Sequence, residues 1–200
     1  QNGTFTLSAS RILSKDGTLI GSAALFRDVT EETRLTNELL LLSTTDGLTG
    51  LYNRRYLNES LGKELGRARR YTLDFSIIMF DVDHFKKFND VYGHETGDRV
   101  LKMLGNVMIK TFRDIDICCR YGGEEFLIIL PSTNLENAKI SAERLRVAVE
   151  TTSIDDLSVT ISIGIASYPE TDTRSIDEFI KKADLALYKA KEGGRNRVCT

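Results

Sequence analysis

Polar and apolar side chains take turns along residues 4–10, and a second strand-like run covers 19–27, with Lys15-Asp16-Gly17 between them as a turn. A two-stranded hairpin is marginal by itself. Because the chain opens on Gln1 with only these two runs before a change of pattern, we expect it to begin inside a domain. From residue 30 to 43 the spacing becomes helical: Leu35, Leu39 and Leu42 share a face, within a leucine run from 39 to 42. Fewer than three heptads do not establish a coiled coil, so this face is read either as a dimer seam on a linker helix or as a cover for the neighbouring domain.

Beyond Asp46 the periods alternate. A helix is predicted over 54–71, then an unbroken apolar strand over 75–80, then a polar segment leading into a long helix over 95–112 whose Val100, Leu104, Val107 and Met108 share a face. Two strands, 115–120 and 125–130, are joined through Gly122-Gly123, a hairpin signal. Ala138, Ala142, Leu145 and Val149 place another helix, 158–166 reads as a strand, and Ile176, Phe179, Ile180, Ala183 and Leu187 mark a last helix. A short strand at 197–199 closes the chain. The order predicts an α+β (α/β sandwich) fold: a ferredoxin-like βαββαβ palm-type sheet with an extra N-terminal helix, preceded by a β-hairpin and a linker helix. Its helices are expected on one face of the sheet, and such a fold alone does not assign a function.

Composition narrows the possibilities. Two hundred residues with 41% hydrophobic and 28% charged side chains are enough for one cored domain with something small attached. The net charge of -2 leaves no electrostatic footprint for DNA or RNA. No apolar run approaches the ~20 residues needed to cross a bilayer, so no membrane contact is expected within this chain. The three cysteines are odd in number and lie in no zinc-like spacing with His84 or His94, which fits a reducing, cytoplasmic setting. Cys118 and Cys119 should face opposite ways on a strand and pack as small apolar groups.

The candidate chemistry sits at strand ends. The strand over 75–80 runs into Asp81-Val82-Asp83, and the hairpin carries Glu124 and Glu125 beside two glycines that permit close backbone approach. If the hairpin lies beside that strand, Asp81 and Glu124 meet, and such oxygen ligands suit Mg²⁺ or Mn²⁺ carrying phosphates. A solvated acidic turn is the plain alternative.

Four motifs, in order, decide between these. Arg120-Tyr121-Gly122-Gly123-Glu124-Glu125-Phe126 matches the signature of the GGDEF family of diguanylate cyclases. The run from Asp46 to Arg55, the stretch Asp81-Val82-Asp83-His84-Phe85-Lys86 with Asn89-Asp90 and Gly93-His94, and Tyr188-Lys189-Ala190-Lys191 with Gly194-Arg195-Asn196 resemble the other motifs of that family. The resemblance covers about residues 43–200 and implies condensation of two GTP into cyclic di-GMP and two pyrophosphates across a homodimer. It implies metal ligation by Asp81, Glu124 and the backbone carbonyl of Val82. Glu125 is implied in turnover, as a second metal ligand or as a base. Asn89 and Asp98 are implied in reading guanine, whose N1 and N2 hydrogens a carboxylate accepts and which adenine lacks. Lys86, Lys191 and Arg195 are implied at the β- and γ-phosphates. His94 is either a structural imidazole that orients the loop or a direct nucleotide contact, and His84 is read as structural.

Two further resemblances follow. Arg113 and Asp116 resemble the family's RxxD inhibitory site, which binds the cyclic di-GMP product, and Arg144 resembles the arginine that completes it from a neighbouring domain; the plain alternative is a surface ion pair. Residues 1–29, with Asp16-Gly17-Thr18 at the turn and Phe26-Arg27-Asp28-Val29-Thr30 at the exit, resemble the end of a PAS sensor domain in a signal-transduction protein. The expected organisation is a PAS fragment over 1–29, a signalling linker helix over 30–44 and a cyclase domain over 45–200. Three rivals are weaker: a silent nucleotide sensor is disfavoured by the intact acidic set, an adenylyl-cyclase or polymerase palm by the hairpin signature and Asp98, and an oxidoreductase by the lack of a G-x-G-x-x-G turn after a strand.

Overall fold

In a computed structural model, residues 3–171 and 175–200 are described, together with all their side chains except those of 37, 38, 41 and 42. Internal packing divides the chain into two units, 1–43 and 44–200. In the first, β1 (Phe5–Leu13) and β2 (Leu19–Asp28) pair antiparallel, turned by Gly17 at φ +85°, and α1 (Thr30–Thr44) follows. Leu35 and Leu39 of the leucine face are exposed, and the side chain of Leu42 lies outside the described residues.

The second unit is built on a six-stranded sheet. Its elements are β3 (Tyr52–Asn53), α2 (Arg54–Tyr71), β4 (Phe75–Val82), α3 (Phe85–Tyr92), α4 (His94–Thr111), β5 (Ile117–Arg120), β6 (Glu125–Pro131), α5 (Leu135–Glu150), β7 (Ser153–Ile154), β8 (Leu157–Ser158), β9 (Ile161–Tyr168), α6 (Ile176–Glu192) and β10 (Val198–Cys199). The strand order is β10-β9-β4-β6-β5-β3. The four central strands are those of the βαββαβ unit and pair antiparallel, while β3 and β10 add parallel edges. This order puts β4 in the middle, buried at all eight positions, with the end of β4 beside the start of β6: Asp81 lies opposite Glu125.

Alternation along the strands feeds two cores. Ile78, Phe80, Phe126, Ile128, Ile161 and Ile163 pack with Leu104 and Met108 of α4 and Ala142 and Leu145 of α5. Ile77, Met79, Leu127 and Ile129 pack on the opposite face with Leu57 and Leu61 of α2 and Phe179 and Ala183 of α6. The helices of the βαββαβ unit thus share one face, as expected, but α2 and α6 cover the other, so the expectation of helices on one face alone is corrected. The reason is that every central strand is apolar on both faces, which a one-sided layer would leave wet. Cys118 and Cys119 divide between the two cores, and burial pushes both thiols up to about 12.

Side-chain oxygens of Asn53, Asn134 and Ser175 cap α2, α5 and α6 by accepting from the backbone N–H three residues on. At Gly164 of β9 a Cβ would overlap the Ala183 carbonyl and the Leu187 amide, so α6 crosses the sheet at backbone contact. The polar segment after β4 holds a helix the periodicity did not announce: α3 is two turns long, anchored by buried Phe85 with Phe88 stacked on it, and Gly93 at φ +84° separates it from α4. The strand expected over 158–166 begins at Ile161, after the small β7–β8 hairpin, whose turn is made by Asp155 and Asp156 at φ +48° and +63°. Among the described residues no helix is long and apolar enough to cross a membrane.

Candidate active site

Alternation along β4 sends Asp81 to the same face as Ile77 and Met79, toward α6. It is 7% exposed, and Lys191 Nζ lies 3.0 Å from its Oδ1. Burial raises the Asp81 carboxyl above its ordinary value; Lys191 pulls it back, Asp83 pushes it further up and Arg195 opposes. Glu124 is raised as well, first by burial and then by the Asp81 charge, with Lys191 opposing and Glu125 adding to it. Two carboxylates at a buried strand end, one hindering the other's ionisation, are a donor set suited to a divalent cation. Among the described residues no group of three or more Asp, Glu, His or Cys side chains is placed to hold a metal. The backbone carbonyl of Val82 follows Asp81 in the chain. Glu125, across from Asp81 in the strand register, lines a cavity of about 290 Å³ with Met79, Tyr121, Ile180, Lys181 and Asp184.

The second carboxylate of the Asp-Val-Asp run has a different occupation. Asp83 accepts from Ser162 Oγ at 2.6 Å, Thr160 Oγ1 at 2.7 Å and the Asn196 backbone N–H at 3.1 Å. With its oxygens used this way, Asp83 ties the end of β4 to β9 and to the loop after α6. That loop runs through Gly194, Arg195 and Asn196 at φ +112°, +63° and +45°. The left-handed turn brings Arg195 back toward Asp81, close enough for its charge to act on that carboxyl.

The hairpin is clamped from outside. Arg120 donates to the Gly123 carbonyl at 3.1 and 2.8 Å, and its Nη1 lies 3.2 Å from both oxygens of Asp46. Asp46 also accepts from the backbone N–H and hydroxyl of Thr49; burial opposes its ionisation most, yet these bonds and Arg120 hold the carboxyl below the usual range. Arg54 lies over the Tyr121 ring at 4.4 Å. The opening Asp46–Arg55 run thus grips both residues that lead into the Gly-Gly turn.

At the α3–α4 joint, Asn89 Oδ1 is buried with no hydrogen-bond partner, and it presses so closely on Gly97 that a Cβ there would overlap it. A buried, unsatisfied amide oxygen costs free energy unless a donor arrives. Asp98, one residue past Gly97, is exposed, as are Lys86 on α3, His94 at the first position of α4 and His84, which sits at φ +58° ahead of α3.

The sequence profile described as "Diguanylate cyclase, GGDEF domain" matches residues 43–197. The chain belongs to the GGDEF family. It is 41% identical over 177 residues to "Diguanylate cyclase DgcM" of Escherichia coli K12, covering 87% of this chain and 42% of that protein. Among solved structures it is similar to the diguanylate cyclase SiaD of Pseudomonas aeruginosa, described in complex with its activator SiaC, with a TM-score of 0.75, 40% identity and coverage of 84% of this chain and 65% of that one. It is also similar to the coiled coil and GGDEF domain of DgcB from Caulobacter crescentus in complex with c-di-GMP, with a TM-score of 0.77, 32% identity and coverage of 84% and 93%. The chain spans less than half the length of the curated relatives it matches.

Away from the acidic centre of the GGDEF domain, Arg113 and Asp116 close on each other. Arg113 Nε and Nη2 each donate to the Asp116 carboxylate at 3.2 Å, and the Arg113 backbone N–H adds a bond of 2.9 Å. Arg113 Nη2 also reaches Thr133 Oγ1 at 3.1 Å. Arg144 donates to the Thr111 carbonyl at 2.9 Å, so all three residues gather at the C-terminal end of α4. The Asp116 carboxylate is buried while the Arg113 side chain is 59% exposed.

Sequence reasoning singled out the acidic pair and the closing basic residues but not the bonds made around them by Asp83, Arg120 with Asp46, and Asn196. Asp83 was visible as a carboxylate at a strand end, and Arg120 and Asp46 stand inside family motifs. Asp83 and Asn196 are 113 residues apart, and Arg120 and Asp46 are 74 apart, so no local spacing announces the bonds.

Proposed function

We propose that residues 45–200 are a diguanylate cyclase domain that condenses two GTP into cyclic di-GMP. The observation that carries this reading is the buried Asp81 carboxyl paired with the half-buried Lys191 beside Glu124, at the meeting of a central strand and a glycine hairpin. In this reading Asp81 and Glu124, with the Val82 carbonyl, hold Mg²⁺ or Mn²⁺. When bound, the metal supplies positive charge against the phosphate oxygens and acidifies a coordinated hydroxyl. Lys191, Lys86 and Arg195 neutralise the β- and γ-phosphates as pyrophosphate departs. Asn89 offers its orphan oxygen to a guanine donor, and Asp98 accepts the remaining N–H groups on that edge. In this reading Glu125, next to Glu124 and opposite Asp81 in the strand register, serves turnover as a second metal ligand or as the base that takes the proton of the attacking 3′-hydroxyl.

One domain carries one such set, so two copies must face each other for each 3′-hydroxyl to attack the other's α-phosphorus, and the cyclic product has the same two-fold symmetry. We read Arg113, Asp116 and Arg144 as the product-inhibition site: Arg113 leaves Asp116 for a phosphate while Asp116 takes guanine N–H donors. We read residues 1–29 as the closing hairpin of a PAS sensor, supported by an antiparallel pair that leaves Phe5, Leu7, Leu25 and Phe26 exposed.

The test is incubation of the purified chain with GTP and Mg²⁺ at several protein concentrations, with chromatography of the nucleotides. Cyclic di-GMP and pyrophosphate, absent with Glu125→Ala, are expected. No product at any concentration, with intact GTP binding, would favour a nucleotide sensor instead.

A further inference from the structure

Arg146 of α5 lies outside the four motifs that mark the family, yet it is 14% exposed and fully engaged. Its Nη1 donates to Asn196 Oδ1 at 2.8 Å and to Glu150 Oε2 at 2.8 Å, and its Nε donates to Glu143 Oε1 at 2.9 Å. Asn196 returns a bond from Nδ2 to Glu150 Oε1 at 2.7 Å, and its backbone N–H binds Asp83. The amide of Asn196 is therefore held at both ends by α5, and its backbone by the end of β4. This matters because Arg195 and Asn196 both stand in the left-handed region, where a side chain costs free energy that the surroundings must offset. Arg195 N–H also donates to the Ala190 carbonyl at 3.0 Å, so the turn folds back on the last coil of α6, next to Lys191.

We propose that Arg146 is a positioning residue for triphosphate binding. With Glu143 and Glu150 as its own supports, it locks Asn196, and Asn196 locks the left-handed turn that keeps Arg195 beside Lys191 and Asp81. Exposed ion pairs within one helix are worth little on their own account. The bond to Asn196 is different, because it joins α5 to the loop after α6 across 50 residues of chain. The inference rests on the reading of Lys191 and Arg195 as phosphate ligands, and the experiment separates the two.

A non-hydrolysable GTP analogue and GMP, which lacks the β- and γ-phosphates, are titrated calorimetrically against the full chain with Mg²⁺ present. Arg146→Ala is expected to weaken the analogue about ten-fold while leaving GMP unchanged, the size typical of losing a group that orients a ligand-binding residue. In an Arg195→Ala background the same change is expected to cost nothing further, because Arg146 acts through Arg195. Asn196→Gly tolerates the positive φ but loses both side-chain bonds, and is expected to show the same split; it decides the matter if Arg146→Ala does not fold. An unchanged analogue affinity, an equal loss for GMP, or full additivity with Arg195→Ala overturns the proposal. If Arg195→Ala itself leaves analogue affinity intact, the phosphate reading falls first and the positioning role falls with it.

Discussion

At the scale of single residues, Asp81 and Glu124 are carboxyls whose ionisation the fold opposes. Both carboxyls are raised, first by burial, so the folded protein holds their protons to higher pH than the unfolded chain does. Their contribution to metal-free stability is accordingly greatest below the ordinary carboxylate range and is lost as pH rises through the raised folded values. A cation that neutralises the pair gains most where both are ionised. The rise in Tm caused by Mg²⁺ or Mn²⁺ should therefore grow as pH is taken from about 4 to neutrality. Glu124→Gln should raise the metal-free Tm at neutral pH and abolish most of that metal response; a metal response unchanged in this variant would remove Glu124 from the shell. Arg120 is the complementary case, a part-buried cation paired with Asp46 and bonded to the hairpin turn. Arg120→Ala frees the Gly123 carbonyl and leaves the part-buried Asp46 with its Thr49 bonds but no cation, which should cost roughly 2 kcal/mol in urea denaturation and lower turnover without weakening guanine binding.

Among the elements, α6 carries the most site geometry for its length. It brings Lys191 to Asp81 because it can cross β9 at Gly164, where no side chain keeps the backbones apart. Gly164→Ala should force the helix off the sheet, with a cost of about 3 kcal/mol and a loss of GTP-analogue affinity as Lys191 retreats. Gly66, inside α2 and exposed, has open space for 4 Å around the point where a methyl group would stand, so Gly66→Ala should stabilise by about 0.8 kcal/mol without touching binding. Chemical denaturation of the pair separates close approach from simple helix propensity. The proposed product site also joins elements: Arg113 bridges the end of α4 to Thr133 just after β6. Arg113→Ala should leave initial turnover intact and relieve product inhibition, read as a progress curve that no longer bends when cyclic di-GMP is added.

For the whole molecule, the two packing units make separate demands. Residues 44–200 hold both cores and every residue of the proposed site, so this unit alone should unfold cooperatively and bind a GTP analogue as the full chain does. In the proposed reaction, condensation needs two such units. Specific activity should rise with protein concentration for the full chain, and the rise should move to higher concentration when residues 1–43 are removed, if the exposed Leu35 and Leu39 form part of a seam between copies. Equal concentration dependence in both would assign pairing to the catalytic unit itself.

Much of this was written locally. Periods of 3.6 and 2 placed α2, α4, α5, α6 and the four central strands, because each buries a continuous stripe or face, and the four motifs named the family. What the local pattern did not announce was short or non-local. The helix α3 is only two turns long, and the β7–β8 turn uses Asp155-Asp156 where an Asn-Gly or Asp-Gly signal is usual. Residue types alone determined that this chain would have an acidic strand end, a glycine hairpin and a basic close. Only the tertiary structure decided that Asp83 is a brace rather than a second copy of Asp81, that Arg120 joins the hairpin to Asp46, and that Arg146 holds Asn196. The physical reason is that a carboxylate's or guanidinium's role is set by which donors, acceptors and charges surround it, and those arrive from strands and helices far away in the chain.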